Sequence, residues 1–170
     1  MEKVRIIQGD ITKLEVDVIV NAANKSLLGG SGVDGSIHRA AGKELLAECR
    51  TLNGCETGKA KITKGYNLPA KHVIHTVGPV YRDGKHEESI LLYSCYRESL
   101  ILATHNHTKT IAFPCISTGI FGYPFKEACL VALHAIEDFL QNDKSISRIF
   151  MVCFSDEDFK HYQVVFNDFQ

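Results

Sequence analysis

Apolar residues in this chain form short runs that predict six β-strands. Five of the predicted strands are VRIIQ (4–8), VDVIV (16–20), HVIHTV (72–77), TIAFPCIS (110–117) and RIFMVCF (148–154). VDVIV is a short β-branched run, which is typical of a strand buried on both faces. The segment AKITKGY (60–66) alternates apolar and polar residues, which predicts a strand with one exposed face. Pro114 predicts that the strand containing it ends or bulges early.

Between these runs, apolar residues recur at helical spacing. The first predicted helix starts at Val33, ends at Asn53-Gly54 and has one apolar face: Ile37, Ala41, Leu45, Cys49 and Leu52. The second runs from about 86 to 106, with a face formed by Ile90, Tyr93, Tyr96, Arg97, Leu100 and Thr104. The third runs from about 124 to 141, with Pro124 in its first turn and an inward face of Ala128, Ala132, Leu133, Ile136 and Leu140. A short helix from about Asp156 follows the last strand.

This alternation of strands and helices predicts an α/β fold. Crossover connections imply a largely parallel sheet with helices on both faces. In such sheets ligands bind at the carboxyl ends of the strands. The loops directly after the strands are therefore the candidate site.

Composition and charge narrow the class of protein. The 170 residues fit one domain, residues 1–170, with 45% hydrophobic and 23% charged residues. The net charge of −1 gives no general attraction for nucleic acid or anionic membranes. A phosphate ligand would therefore depend largely on backbone N–H groups. No signal peptide or membrane span is visible, and six scattered cysteines without a C-x-x-C pair predict reduced thiols and a cytoplasmic protein.

The loops after four predicted strands have unusual compositions. They are Gly9 to Thr12, Asn21 to Asn24 with the glycine-rich stretch that follows, Ser117 to Gly122, and Ser155-Asp156. Gly30, Gly32 and Gly35 match G-x-G-x-x-G, but nine residues separate Val20 from Gly30, whereas a Rossmann loop follows its strand directly. A Walker loop is excluded as well, because Gly54 to Lys59 has the wrong spacing.

Two glycine-rich loops that open helices remain as candidate anion sites. Segments 29–35 and 117–122 each lead into a helix, and such loops present free N–H groups to phosphate. Each alone is equally well explained as a tight turn. Together, at corresponding ends of strands, they favour a site for a diphosphate.

Four side chains in these loops have both a chemical and a structural interpretation. Asp34 either stabilises the first turn of its helix or, as a carboxylate unfavourable beside phosphate, orients or polarises a water. Asn24 either binds a sugar hydroxyl or holds its own turn. Asp10 either accepts from an exocyclic amine or caps Thr12. Phe154 either stacks on a base or lies in the core.

Five motifs together resemble a macrodomain of the MacroD type. They are GDIT (9–12), VNAAN (20–24), GGSGVDGSIHRAAG (29–42), TGKAKITKGYNLPAKHVIHTVGP (57–79) and ISTGIFGYP (116–124), in the family's order and over nearly the whole chain. The resemblance implies a three-layer α/β/α fold around a mixed, largely parallel six-stranded sheet. It also implies a cleft for ADP-ribose and hydrolysis of ADP-ribose esters, namely mono-ADP-ribosyl groups on Asp or Glu side chains and O-acetyl-ADP-ribose.

The resemblance also assigns roles to residues. Asp10 would accept from the adenine amine, with Ile11 near the base and Phe154 stacked on it. Asn24 would hold the distal ribose, and Asp34 would orient that ribose or the attacking water. The diphosphate would lie between two groups of residues: Gly32, Val33 and Gly35 on one side, and Ser117, Thr118, Gly119, Ile120 and Phe121 on the other.

One departure from the family pattern is Ser31, which stands where glycine is usual. A serine keeps its amide donor there unless the backbone needs a positive φ. A zinc-containing branch of the macrodomain family has cysteine and histidine ligands in this glycine loop. Because residues 29–37 contain neither, we expect no metal, and the resemblance implies no cofactor. The alternative function is an ADP-ribose reader without turnover. An RNA- or poly(ADP-ribose)-binding module is disfavoured because the chain has no excess of basic residues. We expect a monomer that acts on ADP-ribose esters, mono-ADP-ribosylated proteins or ADP-ribosylated nucleic-acid ends, away from membranes.

Overall fold

The computed structural model describes all 170 residues as one sheet flanked by helices. The strands are β1 (Val4–Gln8), β2 (Val18–Ala22), β3 (Ala60–Lys64), β4 (His72–Thr76), β5 (Thr110–Phe113) and β6 (Arg148–Cys153). The helices are α1 (Gly32–Ala41), α2 (Lys43–Thr51), α3 (Glu88–His105), α4 (Phe125–Asn142) and α5 (Asp156–Phe169), and a 3₁₀ turn spans Ile11–Lys13.

The six strands form a single mixed sheet in the order β1-β6-β5-β2-β4-β3. Neighbouring strands are parallel except β3, which is antiparallel to β4. The predicted mixed, largely parallel sheet is therefore confirmed. The only antiparallel strand is β3, which lies at one edge of the sheet and corresponds to the segment of alternating apolar and polar residues.

Alternate residues of the central strand β2 contribute to two separate cores. Val18 and Val20 belong to the core under α3, α4 and α5, whereas Ile19 belongs to the core under α1 and α2. All three are fully buried, as expected for a strand covered by helices on both faces. This arrangement is the predicted three-layer α/β/α fold.

The first predicted helix is divided into α1 and α2 at Gly42. Gly42 has φ +90°, which is incompatible with a continuous helix, and a Cβ there would lie 2.8 Å from Asn67 Nδ2. The predicted apolar face nevertheless persists across the break, because Ile37, Ala41, Leu45 and Cys49 are all fully buried. Burial of the face thus continues although the backbone helix does not.

The predicted buried face of α3 is wrong in part: Tyr96 and Leu100 are buried as predicted, but the other four predicted residues are not. Ile90 is 63% exposed and Arg97 is exposed, while the buried residues are Glu88, Leu92, Cys95, Tyr96, Ser99, Leu100 and Ala103. The helix contacts α4 on one side and β3 and β4 on another. The buried residues recur three or four positions apart and form one face, which is rotated from the predicted one. That face includes Glu88 and Ser99 while Ile90 lies outside it, so apolar character alone does not mark it.

Strand and helix ends also differ from the predictions. β2 starts at Val18 and includes Asn21, so Asn21 is a buried strand residue and not part of a loop. β5 ends at Phe113, directly before Pro114, as the proline predicts. α5 has 14 residues and is not short, and Ser155 caps it by accepting from Asp158 N. None of the helices combines the length and apolar composition needed to cross a membrane.

Candidate functional site

The sheet brings the predicted site residues to one edge. β1, β6, β5 and β2 are adjacent and parallel, so their carboxyl ends lie side by side over about 14 Å. The site residues follow these strands in order: Asp10 and Ile11 after β1, Phe154 after β6, Ser117 to Phe121 after β5, Asn24 after β2, and Gly32 to Gly35 at the start of α1. The strand order therefore runs from the predicted base contacts, past the predicted phosphate contacts, to Asn24 and Asp34.

The loop of residues 117–122, called here the open loop, presents its backbone amides without internal partners. The N–H groups of residues 117–121 donate to no protein acceptor. Ser117 has φ +67°, a conformation that costs a non-glycine residue about 1–2 kcal/mol. Two hydrogen bonds hold this residue in place: Tyr123 N donates to Ser117 O, and Ser117 Oγ donates to Pro79 O. No atom lies within 4 Å of a Cβ built on Gly119, and Ile120 is 89% exposed. This geometry suits an anion above the loop.

The loop of residues 29–35, called here the packed loop, lies against its own helix. A Cβ on Gly35 would be 2.4 Å from Gly30 O, so only glycine allows α1 to begin this close to the loop. The N–H groups of Gly32, Val33 and Asp34 in the first helical turn donate to no protein acceptor. They form a second set of free donors beside a helix N-terminus, which also favours an anion.

Ser31 fits the packed loop without strain. Its φ of −95° and ψ of −178° are extended values that any residue adopts, so the unusual serine keeps its amide donor. Although it occupies the position before α1, its side chain makes no capping hydrogen bond. Its exposed hydroxyl is therefore not required for the helix start.

Asp34 is held by neighbouring side chains and directs one oxygen at the packed loop. It is 4% exposed, and its Oδ1 accepts from Asn21 Nδ2 at 2.8 Å and lies 3.5 Å from His38 Nε2. Its Oδ2 makes no hydrogen bond within the protein. A Cβ on Gly30 would lie 3.1 Å from Asp34 Oδ2 and 3.4 Å from Asn24 Nδ2, so the carboxylate and the amide face the same side of Gly30. Asp34 lies in the first turn of α1, but its hydrogen bond comes from a side chain and not from a backbone N–H group of that turn.

Asn24 and Asp10 each bond to their own loop, which is the structural interpretation given above for both residues. Asn24 Nδ2 donates to Gly29 O at 2.9 Å, and its Oδ1 accepts from Leu27 N at 3.1 Å. Asp10 Oδ1 accepts from Thr12 N at 3.0 Å and from Thr12 Oγ1 at 2.6 Å. The hydroxyl bond is the largest of the effects that lower the pKa of Asp10. Ribose and adenine contacts by these two residues stay predictions.

Phe154 is not a core aromatic. It directly follows β6 and is 82% exposed, so its ring is free to stack on a planar ligand. Its neighbour Cys153 accepts from Gly9 N at 3.0 Å, which ties the start of the Asp10 turn to the end of β6. The two predicted base contacts are thereby held at adjacent strand ends.

Sequence reasoning missed the side chains that surround Asp34. The sequence predicts a loop at Asn21, and His38 stands out only as part of the motif GGSGVDGSIHRAAG (29–42). His75, in the middle of the apolar run HVIHTV, lies 3.1 Å from Asn21 Nδ2 through its Nδ1. The one available signal was a histidine and an asparagine within apolar strand sequences, where polar residues need specific partners.

One group outside the cleft has the spacing of metal ligands: Asp83, His86 and Glu88. Glu88 Oε2 already accepts from the backbone N–H groups of Arg82, Asp83 and Gly84 at 3.0–3.2 Å. Desolvation raises the pKa of Glu88, but the backbone N–H groups of Arg82, His86 and Gly84 outweigh it and lower the pKa to about 2. Glu88 Oε1 accepts from His86 N at 2.6 Å, so both carboxylate oxygens already bind backbone hydrogens. The group is therefore explained as a set of hydrogen bonds that holds the loop before α3.

Comparisons with known proteins identify the family. The Macro domain family matches residues 20–132. A macro domain-containing protein from Chlorobaculum tepidum is 58% identical over 160 residues, which cover 94% of this chain and 93% of that protein. The ADP-ribose glycohydrolase MACROD2 of Xenopus laevis is 59% identical over 99% of this chain, but the match spans 41% of that longer protein.

Solved structures agree with this similarity. The Oceanobacillus iheyensis macrodomain with ADP has a TM-score of 0.93 at 43% identity, covering 98% of this chain and 90% of that one. The Trypanosoma brucei macrodomain in complex with ADP-ribose has a TM-score of 0.89 at 44% identity, covering 95% of this chain and 68% of that one. The chain belongs to the macro domain family.

Proposed function

We propose that this chain hydrolyses ADP-ribose esters. The observation that carries the proposal is Asp34, a carboxylate with one unpartnered oxygen at the same edge of the sheet as two sets of free backbone N–H groups. A cleft built only to bind a diphosphate gains nothing from a negative charge next to it. The ADP-ribose glycohydrolase name of the Xenopus laevis relative and the ADP-ribose bound to the Trypanosoma brucei structure support the same conclusion.

Both loops bind the diphosphate, each from one side. The amides of the open loop hold the diphosphate from one side, and the first-turn amides of α1 hold it from the other. Phe154 stacks on the adenine and Asp10 accepts from its amine, at the β1 and β6 ends of the cleft. With a net charge of −1, backbone donors replace a cluster of lysines and arginines as the main phosphate contacts.

The chemistry takes place at the β2 end of the cleft. Asn24 holds the distal ribose, and Asp34 Oδ2 accepts a hydrogen bond from that ribose or from the attacking water. Adding one water across the ester bond releases ADP-ribose and the free carboxylic acid, with no cofactor. Positioning by a buried, hydrogen-bonded carboxylate is the contribution that the protein makes to this step.

The experiment that tests this function compares ester and non-ester substrates. The protein is incubated with O-acetyl-ADP-ribose and with peptides mono-ADP-ribosylated on glutamate, arginine or serine, and free ADP-ribose is measured. We expect release from the acetyl ester and the glutamate ester only. Tight ADP-ribose binding without release from any substrate would instead identify a reader.

Mono-ADP-ribosylated proteins are the proposed partners, with ADP-ribosylated nucleic-acid ends as further substrates of the same ester class. We also propose a cytoplasmic location and a monomeric state. Reduced thiols support the first, since all six cysteines are free and five are buried. Light scattering of the purified protein tests the second.

A further inference from the structure

We infer that His75 is a positioning residue for the hydrolysis, because it fixes the side-chain amide of Asn21 that holds Asp34. The inference rests on the proposed function. His75 and Asn21 are paired in register on β4 and β2, so their side chains lie on the same face of the sheet, toward α1 and α2. His75 itself contacts neither the packed loop nor the open loop through a hydrogen bond.

The ring of His75 is neutral. It is fully buried, and burial, together with the nearby His38, lowers the pKa of His75 to about 3. A neutral imidazole has one protonated and one unprotonated nitrogen, and its partners select which is which. The ring thus has a definite donor and a definite acceptor.

The partners of Asn21 determine the orientation of the whole network. Asn21 Nδ2 lies 2.8 Å from Asp34 Oδ1 and 3.1 Å from His75 Nδ1. An amide nitrogen has two hydrogens, so one goes to the carboxylate and the other to His75 Nδ1, which must be the acceptor. The opposite amide orientation would place Asn21 Oδ1 against the carboxylate, which repulsion between the two oxygens forbids.

The other ring nitrogen completes the chain of donors. With Nδ1 unprotonated, His75 Nε2–H donates to Thr63 Oγ1 at 3.0 Å, and the Thr63 hydroxyl donates to Lys64 O at 3.1 Å. Cys49 Sγ, at 3.8 Å from Nε2, is a weak additional contact. Asn21 thus donates to Asp34 and His75, His75 donates to Thr63, and Thr63 donates to Lys64 O. This set of donors and acceptors allows only one orientation of the Asn21 amide.

Apart from Asp34 itself, only His75 holds the Asn21 amide in this arrangement. Its Oδ1 is buried and has no hydrogen-bond partner. Asp34 and His75 are thus its only side-chain contacts through hydrogen bonds, and loss of the His75 acceptor leaves a second buried polar group unpaired. Rotation of the amide would then release Asp34 Oδ1 and move Oδ2 away from Gly30.

The test compares two variants of similar shape, of which only one keeps an acceptor. His75→Asn keeps an oxygen near the Nδ1 position, whereas His75→Leu has a similar shape without it, and both lose the bond to Thr63. We expect His75→Leu to lower kcat for O-acetyl-ADP-ribose by roughly 10- to 100-fold, with KM and the ADP-ribose Kd changed less than about threefold. His75→Asn should recover most of the loss.

A matched control and a direct spectroscopic measurement separate positioning from general damage. Ser99→Ala removes another buried hydrogen bond, from Ser99 Oγ to Cys95 O, and should leave kcat unchanged. Nitrogen-15 NMR of the wild-type imidazole should show His75 protonated on Nε2, and the Asn21 side-chain amide should be protected from hydrogen exchange in the wild type and His75→Asn but not in His75→Leu.

Defined results would overturn the inference. Equal kcat values for His75→Asn and His75→Leu would show that the acceptor at position 75 does not affect turnover. A proton on His75 Nδ1 would show that this nitrogen does not accept from Asn21. If the wild type hydrolyses no ester, the proposed function fails. The NMR measurements would then still decide whether His75 fixes Asn21, because they need no turnover.

Discussion

The packed loop and the open loop differ in what surrounds their glycines. In the packed loop, a Cβ on Gly35 would collide with Gly30 O, and one on Gly30 would touch Asp34 and Asn24. In the open loop, a Cβ on Gly119 or Gly122 would meet nothing within 4 Å. Both loops have free amides, but only the packed loop contains an acid fixed by a buried network.

This difference indicates that binding and chemistry are separable in this cleft. The open loop offers donors over unoccupied space, which suits a ligand that enters and leaves. The packed loop fixes a carboxylate in a defined geometry, which suits a reaction step. Substitutions in the two loops should therefore affect different measurable quantities.

The largest expected effect is that of Asp34→Ala on turnover. Removal of the carboxylate should lower kcat for O-acetyl-ADP-ribose by at least about 100-fold, because no other acid faces Gly30. ADP-ribose affinity, measured by calorimetry, should stay the same or increase, since a negative charge near the diphosphate is removed. Unchanged turnover would assign the chemistry to another residue.

Gly119→Glu should have the opposite pattern. A Cβ at position 119 meets no other atom within 4 Å, so the melting temperature should stay within about 2 °C of the wild type. The bulk and negative charge of the glutamate, however, occupy the space above the open-loop amides. We expect ADP-ribose Kd to rise by at least about 100-fold. Gly119→Ala is the matched control and should bind nearly normally. Wild-type affinity in Gly119→Glu would place the diphosphate elsewhere.

Gly35→Ala tests the packing of the other loop through stability. The added Cβ would lie 2.4 Å from Gly30 O, so the loop and α1 must separate. Overpacking of this kind costs about 1–3 kcal/mol in the free energy of unfolding, measurable by urea denaturation. Gly119→Ala, the same chemical change in the open loop, should cost less than about 0.5 kcal/mol. Equal stabilities for the two alanine variants would contradict the distinction between the loops.

Ser31→Gly should have the smallest effect. Because the serine has ordinary backbone angles and makes no capping bond, glycine removes only an exposed hydroxyl and adds flexibility to the unfolded chain. We expect a loss of less than about 1 kcal/mol in stability, and ADP-ribose affinity within threefold of the wild type. A larger drop in affinity would reveal a ligand contact by the Ser31 hydroxyl.

The sequence predicts the layers, the strands and the site loops because each leaves a local signal. Apolar runs mark five strands and an alternating segment marks the sixth, and crossover connections predict a largely parallel sheet. The mixed character of the sheet is implied only by the resemblance to macrodomains. Pro114 marked the end of β5, and glycine-rich segments marked both loops. Once β1, β6, β5 and β2 are adjacent and parallel, the loops that follow them necessarily share one edge.

What the sequence does not predict depends on contacts between distant segments. The break at Gly42 depends on Asn67, and the buried face of α3 depends on packing against both a helix and the sheet. The support of Asp34 by Asn21 and His75 joins three elements through single hydrogen bonds. No periodicity along the chain records such contacts, since each is specified by tertiary geometry.

The most direct test of the account is a crystal structure of Asp34→Ala with O-acetyl-ADP-ribose. The variant should retain the intact ester, with the diphosphate between the amides of residues 117–121 and those of α1. Adenine should lie against Phe154, and the distal ribose should lie beside Asn24 and position 34. A cleaved ester, or a diphosphate bound away from the open loop, would contradict the separation of binding from chemistry.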